Sequence, residues 1–388
     1  MKQSDRDQAF RLFLALLRYE ICGTDLLEHE IEVSNDLLEK VYLISAKHQL
    51  AHLAYAALVA NNLLKQDDSL YQRFRRIFLN TLLHIERSKN TLQGIRVLFK
   101  EKKDDFIVLK GGALCSLYPE SWMRNSCDID ILVREEGLGK ASEALIQKGY
   151  TFNGKTLHNS SFFSPQKVHV ELHFKLNDSM FKDFSILENV WDTAAHDESE
   201  NEYVLSDEVL YFYHVAHMAK HIANGGCGIR PFIDLWLLNH RTEYDAQKRT
   251  NLLKKEGLLA FETAAVNLSE VWFSNGQPDE TSRMLEEYIL FGGAYGNSGN
   301  KQAVMERNAG GAREFLFRRV FAPYEKLKAL YPVVTTHKWL TPAFQVARWF
   351  RLTSKKSRKN AMQQIQERKC LNESKREGID ALFSKLEI

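Results

Sequence analysis

The sequence predicts an α+β protein in which a small strand-bearing unit is set between two helical regions. Three observations carry this. Apolar residues recur at helical spacing through the first hundred residues, and no proline occurs before Pro119. At Phe106 the texture changes to short runs, "FIVL", "DIDILV" and "VHVELHFKL", with the alternation and β-branched content of strands. After Phe181 helical patterns return. The expected divisions are residues 1–100, helical, 101–178, the α/β unit, and 179–388, helical and ending in a basic tail.

The elements follow in order. Phe10, Phe13, Leu14 and Leu17 mark a first helix, and Leu37, Val41, Ile44, Leu50 and Leu53 continue the period. A long helix follows Asp67 and Asp68 and ends among lysines, the polarity that the helix dipole favours. "FIVL" and "DIDILV" read as strands, "GLGKASEALIQKGY" as a helix closed by Gly149, and "HNSSFFS" with "VHVELHFKL" as a hairpin around "PQK". Ser206 caps "DEVLYFYHVAHMAKHIANGG", and "RPFIDLWLLNH" and "ETSRMLEEYILFGG" are further helices. Trp191, Trp236, Trp339 and Trp349 sit among apolar neighbours and read as core or interface.

Composition excludes several classes. The chain has 388 residues and a formal charge of only +2, so no global field argues for a long nucleic acid. A local basic run (Lys355, Lys356, Arg358, Lys359, Arg368, Lys369, Lys375 and Arg376) reads as a solvated helix face or a polyphosphate contact. Five scattered cysteines without a C-x-x-C pair indicate reduced thiols and a cytoplasmic protein. The N-terminus lacks the pattern of a signal peptide. No run approaches the roughly 18–20 apolar residues of a membrane span.

The chemistry is concentrated in "FIVLKGGALCSLYPESWMRNSCDIDILV" and the strand near residue 170. Alternate residues of a strand share a face, so Asp128 and Asp130 project together, opposite Ile129, Ile131 and Val133. Two close carboxylates repel unless a cation sits between them. Hard oxygen ligands suit Mg²⁺ or Mn²⁺, and two such ions about 3.5–4 Å apart form a clamp for phosphoryl displacement. Glu171, on the polar face of an otherwise apolar strand, supplies a third acid that completes a metal site or activates a hydroxyl. Gly111 and Gly112 follow a strand and precede a short helix, a turn whose amides can meet phosphate oxygens. Lys110 adds a point charge, and Arg124 can fork onto a further phosphate.

With these residues in this order, the sequence resembles the nucleotidyltransferase superfamily with a DNA polymerase β-like catalytic fold. It is most similar to uncharacterised nucleotidyltransferases marked by an "LKG" turn followed by "R…DIDLLV". Here these are Leu109-Lys110-Gly111, then Arg124 and "DIDILV". Glu171 with His173, the helix bearing His217 and His221, "RPFIDLWLL" with Arg230 and Asp234, and "FGGAYGNSG" also resemble that family. The third acid departs from the aspartate common in the superfamily.

The resemblance implies a small mixed-sheet core, with two Mg²⁺ or Mn²⁺ ions held by Asp128, Asp130 and Glu171. It implies an NTP held by Lys110, Gly111, Gly112 and Arg124, and an acceptor chosen by the C-terminal helices, a small molecule rather than nucleic acid. The activity would be transfer of a nucleoside monophosphate to a hydroxyl with release of pyrophosphate, a phosphorus-group transferase reaction. The other reading is a catalytically silent module of the same fold that binds a nucleotide or a partner. A zinc hydrolase is a third, since His214, His217 and His221 share a helix face and His169 and His173 a strand face. Failing that, His173, His217 and His221 line or buttress a polar cleft. Arg230 and Asp234, at i and i+4, either join that cleft or pair with each other.

Overall fold

The N-terminal helices form where the apolar period predicts them. They are α1 (Gln3–Cys22), α2 (Asn35–Lys47) and α3 (Ala51–Ala60), followed by α4 (Ser69–Lys102). The Ser34 hydroxyl caps α2 by accepting the Leu37 amide, and the Asp68 carboxylate caps α4 by accepting that of Leu70. Lys103, in the left-handed conformation at φ +54°, closes α4. The computed structural model describes residues 3–26, 33–177, 181–196, 201–290, most of 292–352, and 373–388.

The described strands are β1 (Phe106–Val108), β2 (Asp128–Val133), β3 (Thr151–Lys155), β4 (Asn159–Phe163), β5 (His169–His173), β6 (Ala195–His196) and β7 (Glu202–Val204). They form one mixed sheet in the order β3-β4-β5-β2-β1-β7-β6. Strands β1 and β2 run antiparallel, whereas β2 and β5 run parallel with Asp128 beside His169 and Asp130 beside Glu171. Strands β6 and β7 extend this sheet past residue 178, the boundary expected for the strand-bearing unit. Strands of two and three residues are too short to display an alternation in the sequence.

The side chains alternate as the strand reading requires. Ile129, Ile131 and Val133 of β2 and Val170 and Leu172 of β5 join Ile95, Leu98 and Phe99 of α4 in one buried core. Helix α6 (Leu138–Gln147) covers the same face, and Gly149, at φ +85°, turns the chain after it. The opposite face is left with the charged residues.

The chain divides into two compact units, Met1–Ala219 with Ile229–Ser282, and Lys220–Gly228 with Arg283–Ile388. In the first, helices α5 (Lys110–Leu114), α7 (Ser185–Glu188), α8 (Val190–Thr193), α9 (Asp207–Ala223), α10 (Arg230–His240), α11 (Ala246–Glu256) and α12 (Leu259–Phe273) complete the fold, with α12 packed on α10 and α1. The unit boundaries fall within α9, between Gly228 and Ile229 just before α10, and within α13 (Glu280–Leu290).

In the second unit, α14 (Ser298–Asn308) packs against the helix Glu373–Leu386. The glycines of "GGAYGNSG" serve packing there: a Cβ on Gly292 would come within 2.8 Å of the Gly296 backbone, and one on Gly296 would enter the Gly225 carbonyl. Phe291 and Tyr295 lie outside the described residues, as do Lys355, Lys356, Arg358, Lys359, Arg368, Lys369 and Cys370 and the side chain of Lys375. Arg376, the last residue of the basic run, pairs with Glu306 at 3.3 Å. Of the tryptophans read as core or interface, Trp236 is buried and Trp339 is 77% exposed. Among the described residues no helix is long and apolar enough to cross a membrane.

Candidate active site

The parallel pairing of β2 and β5 builds the site. Asp128 and Asp130 point from β2 to the face opposite the core, and His169, Glu171 and His173 point the same way from β5. Glu171 is fixed by the Asn159 side-chain amide, whose nitrogen donates to Oε2 at 2.5 Å. His173 Nε2 lies 2.8 Å from Asp130 Oδ1 and 3.3 Å from Glu171 Oε2. His169 Nε2 meets the Ser161 hydroxyl at 2.7 Å.

The turn after β1 supplies the counter-charge. Lys110 Nζ lies 2.8 Å from Asp130 Oδ1. Its charge also lowers the cost of ionising the neighbouring Asp128, so it partly offsets the repulsion between the two carboxylates. The Lys110 backbone takes φ +45°, a costly conformation for a residue with a Cβ. Gly111 and Gly112 are also required by the packing of the protein around them. A Cβ on Gly112 would collide with Val108 Cγ1, and one on Gly111 would lie 2.9 Å from Ser126 Cβ. The Gly112 amide is also engaged, donating to the Leu109 carbonyl at 3.2 Å.

The segment between α5 and β2 is held from several sides. His52 Nε2 lies 3.1 Å from the Met123 carbonyl, and His84 Nε2 lies 2.8 Å from that of Ser126. Arg124 donates through Nε and Nη2 to the two carboxylate oxygens of Asp234, at 2.8 and 2.9 Å, and Tyr118 Oη donates to the same carboxylate at 2.7 Å. The fork expected to take a phosphate is therefore occupied by Asp234. A guanidinium this buried requires a carboxylate partner, and the bidentate geometry satisfies both charges. Asp234 correspondingly pairs with Arg124, not with Arg230 one turn earlier on α10.

The electrostatics follow from these contacts. Burial opposes ionisation of Asp130, but the Lys110 ammonium and His173 outweigh it and hold the carboxyl well below the usual carboxylate range. The hydrogen bond from His173 likewise lowers Glu171. Burial would lower His173, yet its bonds to Asp130 and Glu171 raise it above the ordinary imidazole value. Asp128 goes the other way: burial, then the neighbouring Asp130 charge, push it up, and its hydrogen-bond partner is the Ser126 hydroxyl at 3.2 Å. Tyr213, buried on α9, is pushed up to about 12 by burial and is within electrostatic reach of Lys110, Asp130, Asp128 and Glu171.

These residues form two donor sets suited to a divalent ion. Asp128, His169 and Glu171 offer ligand atoms within 4.8 Å of one another, and so do Asp130, Glu171 and His173. Glu171 belongs to both. The two carboxylates of each set are hard oxygen ligands of the kind that suit Mg²⁺ or Mn²⁺. Among the described residues neither set includes His214, His217 or His221. His214 is instead tied to the Pro231 carbonyl at 2.9 Å. His217 follows Tyr213 by one turn, with ring centroids 6.2 Å apart. His221 belongs to the second unit, where its carbonyl accepts the Gly226 amide.

Asn159 and Ser161 were legible in principle, because they alternate in "HNSSFFS" and sit opposite the polar face of β5. Tyr213, His52 and His84 were not. Each reaches the site from a distant element, and no local pattern signals that.

Residues 36–274 match the model of a family described as uncharacterised nucleotidyltransferase. No curated protein matches the chain. A solved structure of the antibiotic-resistance factor ANT(2'')-Ia is similar at 12% identity and a TM-score of 0.35, over 44% of this chain and 91% of that one.

Proposed function

The chain belongs to this family of uncharacterised nucleotidyltransferases. On that premise we propose that it transfers a nucleoside monophosphate from an NTP to an acceptor hydroxyl, in a Mg²⁺- or Mn²⁺-dependent reaction that releases pyrophosphate. The observation that carries the reading is the pair of donor sets sharing Glu171 on adjacent parallel strands. Asp128, Asp130 and Glu171 would hold two such ions, which when bound neutralise the phosphoryl oxygens and align the triphosphate.

The chain's own residues do the rest. Lys110 and the turn at Gly111 and Gly112 receive the triphosphate, with Lys110 the cation beside the two aspartates. Asn159 and His173 fix Oε2 of Glu171, which keeps that carboxylate ionised and leaves Oε1 as its freer oxygen. The acceptor oxygen forms its bond to the α-phosphorus as the bond to the bridging oxygen breaks. The hydroxyl proton passes to Glu171 Oε1, and the electron pair leaves with pyrophosphate. Positioning and charge neutralisation supply most of the rate. Tyr213 and His217 of α9 line the acceptor side, and residues after 179 choose a small-molecule acceptor.

The test is pyrophosphate release from each of the four NTPs with Mg²⁺ or Mn²⁺ across a panel of hydroxyl acceptors. Release that disappears in the Asp128→Asn, Asp130→Asn double variant supports the reading. Nucleotide binding without release in every combination would favour a silent module of the same fold.

A further inference from the structure

Among the described residues of the first unit, Arg230 is a half-buried cation with no carboxylate in ion-pair contact. Around the site Lys110 and His173 face Asp130, and Arg124 takes Asp234. Arg230, the first residue of α10, receives none of these carboxylates. Its Nη2 makes two long approaches of 3.4 Å, to the Gln49 carbonyl and to Gln49 Oε1. Its Nε is buried without an acceptor. Among the described residues no carboxylate lies within ion-pair distance of it. Burial, then the neighbouring Arg124, disfavour its charge. Of the two neighbouring guanidinium groups, Arg124 holds the Asp234 carboxylate and Arg230 is left without an ion-pair partner.

Arg230 lies close to the acids along the chain of contacts through Gln49. Gln49 Oε1 accepts from Cys127 Sγ at 3.4 Å, and Cys127 immediately precedes Asp128. Gln49 itself takes φ +58° in the short link between α2 and α3. Arg124 is also within electrostatic reach of Asp128.

We propose that Arg230 binds the terminal phosphates of a polyphosphate at this site, that is, the part of an NTP that departs as pyrophosphate. A guanidinium meets phosphate oxygens with a planar fork of donors, and an arriving oxyanion would supply the partner that the protein withholds. The identity of the ligand as the leaving group rests on the nucleotidyl-transfer reading; the oxyanion site does not.

The experiment is calorimetric titration of the full chain with inorganic pyrophosphate and, separately, with each NTP in Mg²⁺ buffer. Wild type, Arg230→Gln and Arg230→Lys are compared, with unfolding midpoints recorded. Arg230→Gln is expected to weaken both pyrophosphate and NTP at least tenfold, and Arg230→Lys, which keeps the charge and loses the fork, by less. Nucleosides without phosphate should bind the variants as they bind wild type. Should Arg230→Gln not fold, Arg230→Lys carries the comparison. Unchanged pyrophosphate affinity in the folded variants, or no pyrophosphate binding by wild type, overturns the proposal. Pyrophosphate binding that depends on Arg230, in a chain that releases none from any NTP, keeps the oxyanion site and removes the transfer reading.

Discussion

Lys110 Nζ and Asp130 Oδ1 lie 2.8 Å apart, and the aspartate side chain is only 2% exposed. Lys110→Met leaves that carboxylate with His173 as its basic partner, beside the like charges of Asp128 and Glu171. Breaking a buried pair by removing one partner costs about 3–5 kcal/mol, and the partial exposure of Lys110 puts this variant at the lower end. Urea unfolding without divalent ions measures the loss. Mg²⁺ should restore more stability to the variant than to wild type, because the ion replaces the missing cation.

Removing the neighbouring charge has the opposite sign. Burial and the Asp130 charge disfavour ionised Asp128. Asp128→Asn is therefore expected to unfold at or above the wild-type midpoint in metal-free buffer, while losing the upward shift that Mg²⁺ gives wild type. A variant clearly less stable than wild type without metal would contradict this account of Asp128.

Asp234 has a different task. It satisfies both donors of the Arg124 fork and the Tyr118 hydroxyl in a buried cluster. Asp234→Ala leaves a buried guanidinium unpaired and should cost about 3–5 kcal/mol in denaturant unfolding. Arg230 should not compensate, because its guanidinium faces Gln49.

The pH dependence has two limbs. Asp130 and Glu171 are depressed in the folded chain, so their contribution is complete above the ordinary carboxylate range and is lost as pH falls through their folded values. His173 is raised, so its contribution is complete below the ordinary imidazole value and is lost as pH rises through its folded value. Unfolding midpoints should thus decline on both sides of the weakly acidic range. His173→Gln should flatten the alkaline limb; an unchanged alkaline limb would remove His173 as its source.

The glycines give a packing test. Gly112→Ala drives a Cβ into Val108 and should cost about 1–3 kcal/mol, as overpacking does. Val108→Ala in the same chain opens that space and should recover part of the loss. Recovery in thermal unfolding separates a steric role from a phosphate-binding one.

The strands, the long helix and the shared face of Asp128, Asp130 and Glu171 were legible because each is written in local alternation or periodicity. The partners of those acids were less so. Lys110 reads as a phosphate ligand beside two glycines, yet its left-handed backbone and its aim at Asp130 depend on how β1 is paired with β2. Arg124 and Asp234 are 110 residues apart, and no sequence rule joins them. Spacing on α10 offered Arg230 as the partner of Asp234, and tertiary packing chose otherwise.

The two imidazole clamps on the segment before β2 bear on any attempt to make a minimal enzyme. His52 and His84 belong to α3 and α4, and α4 also furnishes Ile95, Leu98 and Phe99 to the layer beneath the acids. A fragment cut at residue 101 would retain the three carboxylates while discarding both the floor and the struts that aim them. The serviceable unit for engineering or transplantation therefore starts upstream of α3, and a shorter graft should be inert however faithfully its acidic motif is copied.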